Sequence, residues 1–147
     1  MEKSDIKKVA VVGAGMMGTG IGLEFARFGY DVALQARKET TLQKAMEEAR
    51  EGLDLMVEAK FISADTAKAA LSRMRTTNDM ANAVSGADWV VESVFEDLRL
   101  KQEIFAKLDE ICPPNVILAS NASSQRVDDM NVNATKHPER ILLTHYW

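Results

Sequence analysis

A chain of 147 residues, 46% of them hydrophobic, is near the usual size of one domain and large enough to bury a core without disulfides or a structural metal. Its 18 basic and 22 acidic residues are interspersed and give a formal charge of -4, so no basic stretch offers a footprint for nucleic acid or a membrane surface. Cys112, the single cysteine, excludes an intramolecular disulfide and a cysteine-based zinc cluster and suits a reducing compartment.

The first eight residues are rich in charge, and the apolar run after them stops at Gly13, too short for a signal sequence or a membrane span. A cytoplasmic setting is the expectation. Lys8 to Val12 reads as a strand covered on both faces, because Val9-Ala10-Val11-Val12 is continuously apolar. A glycine-rich turn follows, and then Met17, Ile21, Phe25 and Phe28 recur at helical spacing until Gly29. Gly18 and Gly22 lie one turn apart on a helix face that can approach a sheet closely.

Asp31 to Gln35 supplies a second strand, and Leu42, Ala45, Met46, Ala49, Leu53, Met56 and Val57 mark a long amphipathic helix. Ser63 is a good N-cap for a further helix running to about Arg73, with Asp65 in its first turn. Arg75 to Thr77 is a minor strand, and Trp89-Val90-Val91 another, after the turn residues Ser85-Gly86. Leu98, Ile104, Phe105, Leu108 and Ile111 build the next amphipathic helix, with Asp97 as its cap, Cys112 buried at its end and Pro113-Pro114 terminating it. Val116 to Ala119 and Ile141 to Leu143 are the last apolar strands. Six strands alternating with helices predict an α/β, Rossmann-type doubly wound fold: one domain over 1–147, with a mostly parallel sheet and helices on both faces.

The turn Gly13-Ala14-Gly15-Met16-Met17-Gly18 sits directly between an apolar strand and a helix. In that setting Gly13 permits the tight turn, Gly15 lets the backbone approach a pyrophosphate, and Gly18 allows close helix–strand packing. The helix start, with Met16 and Met17, then presents unpaired N–H groups and a partial positive charge to an anion. No Lys-Ser or Lys-Thr pair follows, so the turn is not a nucleoside-triphosphate P-loop. A dinucleotide is the expected ligand, and no metal site is expected.

An acidic residue about 20 positions beyond the glycines normally accepts hydrogen bonds from the adenosine ribose of NAD. Here the stretch is Gln35-Ala36-Arg37-Lys38. With no carboxylate to repel a 2′-phosphate and two cations able to bind one, the local chemistry leans towards NADP over NAD, with Arg37 the better candidate. The alternative is that Arg37 and Lys38 are ordinary solvated charges and that Gln35 makes weaker ribose contacts to NAD, or that Glu39 folds back to the ribose.

The stretches Val9–Gly18, Ala87–Gln102, Ile117–Ser124 and His137–Tyr146 occur in the same order as in, and resemble, the 3-hydroxyacyl-CoA dehydrogenase family. Carnitine and gulonate dehydrogenases, which act on non-CoA hydroxy acids, share much of this pattern, and a non-catalytic dinucleotide-binding module is a further alternative. The resemblance implies an oxidoreductase of fatty acid metabolism that moves a hydride between NAD(P) and a 3-hydroxyacyl-CoA. By it, Glu96 and Lys101 approach the nicotinamide half of the cofactor, Ser123 hydrogen-bonds the reacting oxygen, and His145 is the catalytic base. An imidazole titrates near neutral pH and can take a hydroxyl proton and return it. Ser123 or Asn121 can orient the hydroxyl and the developing carbonyl oxygen.

Each of these residues also has a plainer role open to it. Glu96 and Asp97 suit a helix N-terminus, Lys101 a solvated helix face, and Ser123-Ser124 a turn. Phe95, Tyr146 and Trp147 can shield a nicotinamide or simply pack, and His137 reads as a surface residue. In the family an asparagine follows the histidine and a glutamate lies roughly a dozen residues beyond it, ahead of a helical domain that binds substrate and forms the homodimer. None of these follows within the sequence, which ends at Trp147, so the 147 residues alone are expected to bind cofactor and to turn over weakly or not at all.

Overall fold

The structure, a computed structural model, describes residues 6–134 and 136–146. Strand β1 (Lys8–Val12) leads through the glycine turn into helix α1 (Met16–Arg27) and strand β2 (Asp31–Gln35). Helices α2 (Glu39–Glu58) and α3 (Ala64–Ser72) precede β3 (Met74–Thr77), and a five-residue helix α4 (Met80–Val84) precedes β4 (Trp89–Glu92). Helix α5 (Leu98–Ile111), β5 (Ile117–Ser120), a short helix α6 (Val127–Met130), a 3-10 turn (Pro138–Arg140) and β6 (Ile141–Leu143) complete the described chain.

The strands form one sheet in the order β3-β2-β1-β4-β5-β6, and every pairing is parallel. The doubly wound expectation therefore holds, and the sheet is wholly rather than mostly parallel. Consecutive residues of β1 face opposite cores, which is why its sequence reads as one apolar run. Val9 and Val11 pack with Ile21, Leu34 and Leu53 on one face; Ala10 and Val12 pack with Phe105, Leu108 and Leu118 on the other. Helix α1 lies close to the sheet because Gly22 presents no side chain: a Cβ there would meet Leu34 Cδ2 at 2.7 Å.

Strand and helix ends depart from the sequence expectations by one or two residues at most places. The minor strand starts at Met74, and the fifth runs Ile117–Ser120 rather than Val116–Ala119. Ser63 and Asp97 cap as expected, accepting from the N–H groups of Thr66 and Leu100. Helices α4 and α6 are additions, each too short for apolar periodicity to register; α4 is held at its start by Asp79, which accepts from Asn82 N at 3.0 Å.

A buried clamp sets the path into β6. Arg140 donates to Asp109 Oδ1 at 3.0 Å, to Cys112 O at 3.2 Å and also to Pro113 O, so it ties the last turn before β6 to the end of α5. Asp109 accepts in addition from the N–H groups of Lys136 and His137. Burial opposes its charge, but those N–H groups and the guanidinium outweigh it and hold the carboxyl below its usual range. Cys112 is buried at the C-cap of α5, as expected, and burial pushes its thiol up to about 11. His137, half exposed, pairs with Glu139 at 3.3 Å.

Candidate functional site

A cleft of about 820 Å³ runs along the carboxyl ends of the strands, where open parallel sheets place ligands. At its centre β1 gives way to the glycine turn. Gly13 donates its N–H to Gln35 O at 2.9 Å and has φ +106°; a Cβ there would lie 2.3 Å from Ser93 O. A Cβ on Gly18 would lie 1.8 Å from Gly13 O. Both glycines are therefore demanded by the fold. Gly15 differs, because a Cβ on it would meet nothing within 4 Å, and Gly15 lines the cleft. Its missing side chain keeps the space beside the start of α1 open for a ligand.

That start of α1 is bare. Gly15, its N-cap, makes no side-chain cap hydrogen bond, and no acidic residue occupies the first turn. Helices α3, α4 and α5 by contrast are each capped by a side chain. An uncapped helix start carries N–H groups with no partner in the helix and a partial positive charge, the features that bind a pyrophosphate. The residues present thus fit a dinucleotide. Of the two methionines in the turn, Met17 lines the cleft, whereas Met16 is 81% exposed and outside the lining.

Towards β2 the cleft is lined by Gln35, Ala36, Arg37, Lys38 and Thr41. Gln35 is buried, and its Nε2 donates to Asn78 O at 3.1 Å, while Asn78 returns a bond to Ala36 O at 3.2 Å. Arg37 and Lys38 are exposed. Lys38 is the N-cap of α2 and, like Gly15, makes no side-chain cap bond. Two cations and a second helix start without a side-chain cap therefore meet at this end, with no carboxylate at the end of the strand and Glu39 in the first turn of α2.

The opposite end, beyond β4 and β5, is built from side chains. Glu96 lines the cleft, and its Oε1 accepts from the N–H groups of Ser123 and Ser124 at 2.8 and 3.2 Å and from their hydroxyls at 3.2 and 3.3 Å. Its Oε2 pairs with Lys101 Nζ at 3.2 Å. Burial works against the charge of Glu96, but the two backbone N–H groups and the ammonium outweigh it and bring the carboxyl down to about 2. Asn121 donates from Nδ2 to Ser93 Oγ at 3.3 Å and accepts at Oδ1 from Tyr146 N at 2.9 Å. Thr144 N donates to Ser120 O at 2.8 Å, so His145 is bracketed by two bonds back to the end of β5. His145, Tyr146, Phe95 and Ser123 all line the cleft.

The site residues read from sequence thus fall into three groups. Gly13, Gly15, Met17, Gln35, Arg37, Lys38, Glu96, Asn121, Ser123 and His145 share one cleft. Gly18 shapes it from behind, and Met16 stands outside. Lys101 is not a solvated helix charge: it is 1% exposed and lies beneath Glu96, absent from the lining. Trp147 lies outside the described residues. Sequence reasoning passed over Ser93 and the buried pair Glu92 and Ser120, which end strands otherwise apolar. A carboxylate closing the apolar run Trp89-Val90-Val91 was the one signal available. Among the described residues no group of three or more His, Cys, Asp and Glu is placed to hold a metal ion, and no helix is long and apolar enough to cross a membrane.

Residues 8–147 match the family model described as 3-hydroxyacyl-CoA dehydrogenase, NAD binding domain. The chain belongs to the 3-hydroxyacyl-CoA dehydrogenase family. The mitochondrial hydroxyacyl-coenzyme A dehydrogenase of Rattus norvegicus is 36% identical over 149 residues, a match covering 97% of this chain and 46% of that protein. The 3-hydroxybutyryl-CoA dehydrogenase of Clostridioides difficile is 32% identical, with 95% and 49% covered. The crystal structure of 3-hydroxybutyryl-CoA dehydrogenase from Escherichia coli superposes with a TM-score of 0.91 at 32% identity, covering 97% of this chain and 30% of that one. The chain spans about half or less of the length of these relatives and corresponds to their NAD-binding domain.

Proposed function

We propose that residues 1–147 are a single dinucleotide-binding domain of a dehydrogenase that moves a hydride between NAD(P) and a 3-hydroxyacyl-CoA. The observation that carries this reading is the meeting, in one cleft, of a bare helix start, a Glu96-bound serine turn and His145. A bound nicotinamide would supply the hydride acceptor for the carbon that bears the substrate hydroxyl. His145 takes the proton of that hydroxyl and returns it in the reverse direction. Ser123 orients the hydroxyl oxygen by turning its Oγ–H from Glu96 to that oxygen, while its N–H stays bonded to Glu96 and keeps the turn in place. Asn121, with its amide committed to Ser93 and to the backbone at Tyr146, acts by positioning His145. The hydroxyacyl substrate and the homodimer contact are assigned to a further helical domain, as the family resemblance implies, and a cytoplasmic setting is part of the same reading.

The adenosine end favours NADP. Arg37 and Lys38 reach the cleft, Ala36 offers no carboxylate, and the start of α2 is uncapped. Titration with NADH and NADPH, followed by nicotinamide fluorescence, is expected to show tighter binding of NADPH. Arg37→Ala is expected to weaken NADPH about tenfold, the size of one charge-assisted hydrogen bond, and to leave NADH unchanged. Equal or tighter binding of NADH would overturn the preference, and binding of neither would overturn the whole reading.

A further inference from the structure

Glu92 ends β4 with 0% exposure, and its register partner at the end of β5 is Ser120. Burying a carboxylate there costs several kcal/mol unless its oxygens are fully bonded. They are. Glu92 Oε1 accepts from Lys101 Nζ at 2.8 Å and from Val94 N at 2.7 Å; Oε2 accepts from Lys101 Nζ at 3.0 Å and from Ser120 Oγ at 2.5 Å. Ser120 Oγ in turn accepts from Ala122 N at 3.2 Å, the residue before Ser123.

These contacts form one continuous path from the sheet to the cleft: Ser120, Glu92, Lys101, Glu96, then Ser123 and Ser124. Only Glu96 and Ser123 reach the cleft surface. Lys101 Nζ meets both carboxylate oxygens of Glu92 and Oε2 of Glu96. Stability does not account for such a cluster, because well-packed apolar residues of similar volume replace buried ion pairs at little or no loss. What an apolar trio would not do is fix where the Glu96 carboxylate stands, and Glu96 alone carries four bonds to the serine turn.

We infer that Glu92 is a positioning residue that anchors Lys101 under Glu96 and so sets the Ser123–Ser124 turn for the nicotinamide end of the cofactor. It touches neither cofactor nor substrate. The inference rests on the reading of the cleft proposed above, in which Glu96 and Ser123 face that end.

The test compares NADH with ADP-ribose, which has the same adenosine and pyrophosphate and lacks the nicotinamide ring. The variant is Glu92→Gln combined with Lys101→Met, which removes both charges together and leaves no buried charge unpaired, with folding checked by circular dichroism. The native chain should bind NADH more tightly than ADP-ribose. In the double variant that preference should fall about tenfold, the usual size of coupling within one hydrogen-bond network, while ADP-ribose affinity stays as in the native chain. An unchanged ratio, or equal weakening of both ligands, overturns the inference. Should the double variant not fold, Ser120→Ala decides: it deletes one hydroxyl and no charge, a selective fall in the NADH preference supports the anchor, and no fall overturns it. A native chain that does not distinguish NADH from ADP-ribose overturns instead the underlying reading of this end of the cleft.

Discussion

Around Gly13 to Gly18 the wall of the cleft is mostly backbone: Gly15 has no side chain, and the start of α1 has neither a side-chain cap nor an acidic residue in its first turn. At the other end the wall includes the side chains of Glu96 and Ser123, and these are bonded to each other and, through Lys101, to Glu92 and Ser120 behind them. The first region binds by what it leaves unsatisfied. The second holds a shape ready-made, one buried ammonium shared between two carboxylates. A backbone cradle suits a pyrophosphate, whose charge needs many donors and little discrimination. A side-chain lattice suits the reacting end, where sub-ångström placement governs rate.

The largest expected effect separates fold from ligand within the first region. Gly13→Ala puts a Cβ 2.3 Å from Ser93 O at a φ of +106°, so it should cost ~3 kcal/mol of stability in urea denaturation and abolish cofactor binding with it. Gly15→Ala meets no atom within 4 Å and has ordinary φ, so it should change stability by no more than ~1 kcal/mol, the cost of a poorer N-cap. Its NADH affinity should nonetheless fall by about tenfold or more, since the new methyl occupies the approach to the pyrophosphate. A Gly15→Ala chain that binds NADH normally would remove the distinction between the two glycines.

The smaller effect probes the second region by acid. Glu96 keeps its charge in the folded chain down to about 2, against 4.5 for the unperturbed group. Below pH 4.5 the unfolded chain takes up this proton first, so the stabilisation is fully present above that pH and is lost as pH falls towards 2. Thermal melts of Glu96→Gln should therefore lie below the native chain at neutral pH and converge with it through that window. Parallel curves at all pH values would show that Glu96 is not held by the serine turn in solution.

The same contrast explains what the sequence made legible. Glycine spacing, apolar runs and caps act over a few residues, so the turn, the starts of α3 and α5 at Ser63 and Asp97, and the alternation of strands and helices along the chain could be read directly. The Glu92–Ser120 contact depends on which strands are neighbours and in what register, information that exists only once β4 and β5 pair. Lys101 illustrates the cost of that gap. On a helix face it reads as solvated, and only the buried carboxylate nine positions earlier makes its burial possible. Arg140 and Asp109 were missed for the same reason, joined across 31 positions where the turn before β6 meets the end of α5.

Cys112 gives this molecule a chemical clock. Its thiol is buried under the Arg140 clamp and pushed up to about 11, so at neutral pH almost none is the reactive thiolate. An alkylating reagent can therefore reach it only during moments when the end of α5 parts from the segment before β6. With no second cysteine to share the label, the rate of modification counts those openings alone, and its slowing on addition of NADH would register how far a ligand in the cleft quiets the opposite edge of the sheet.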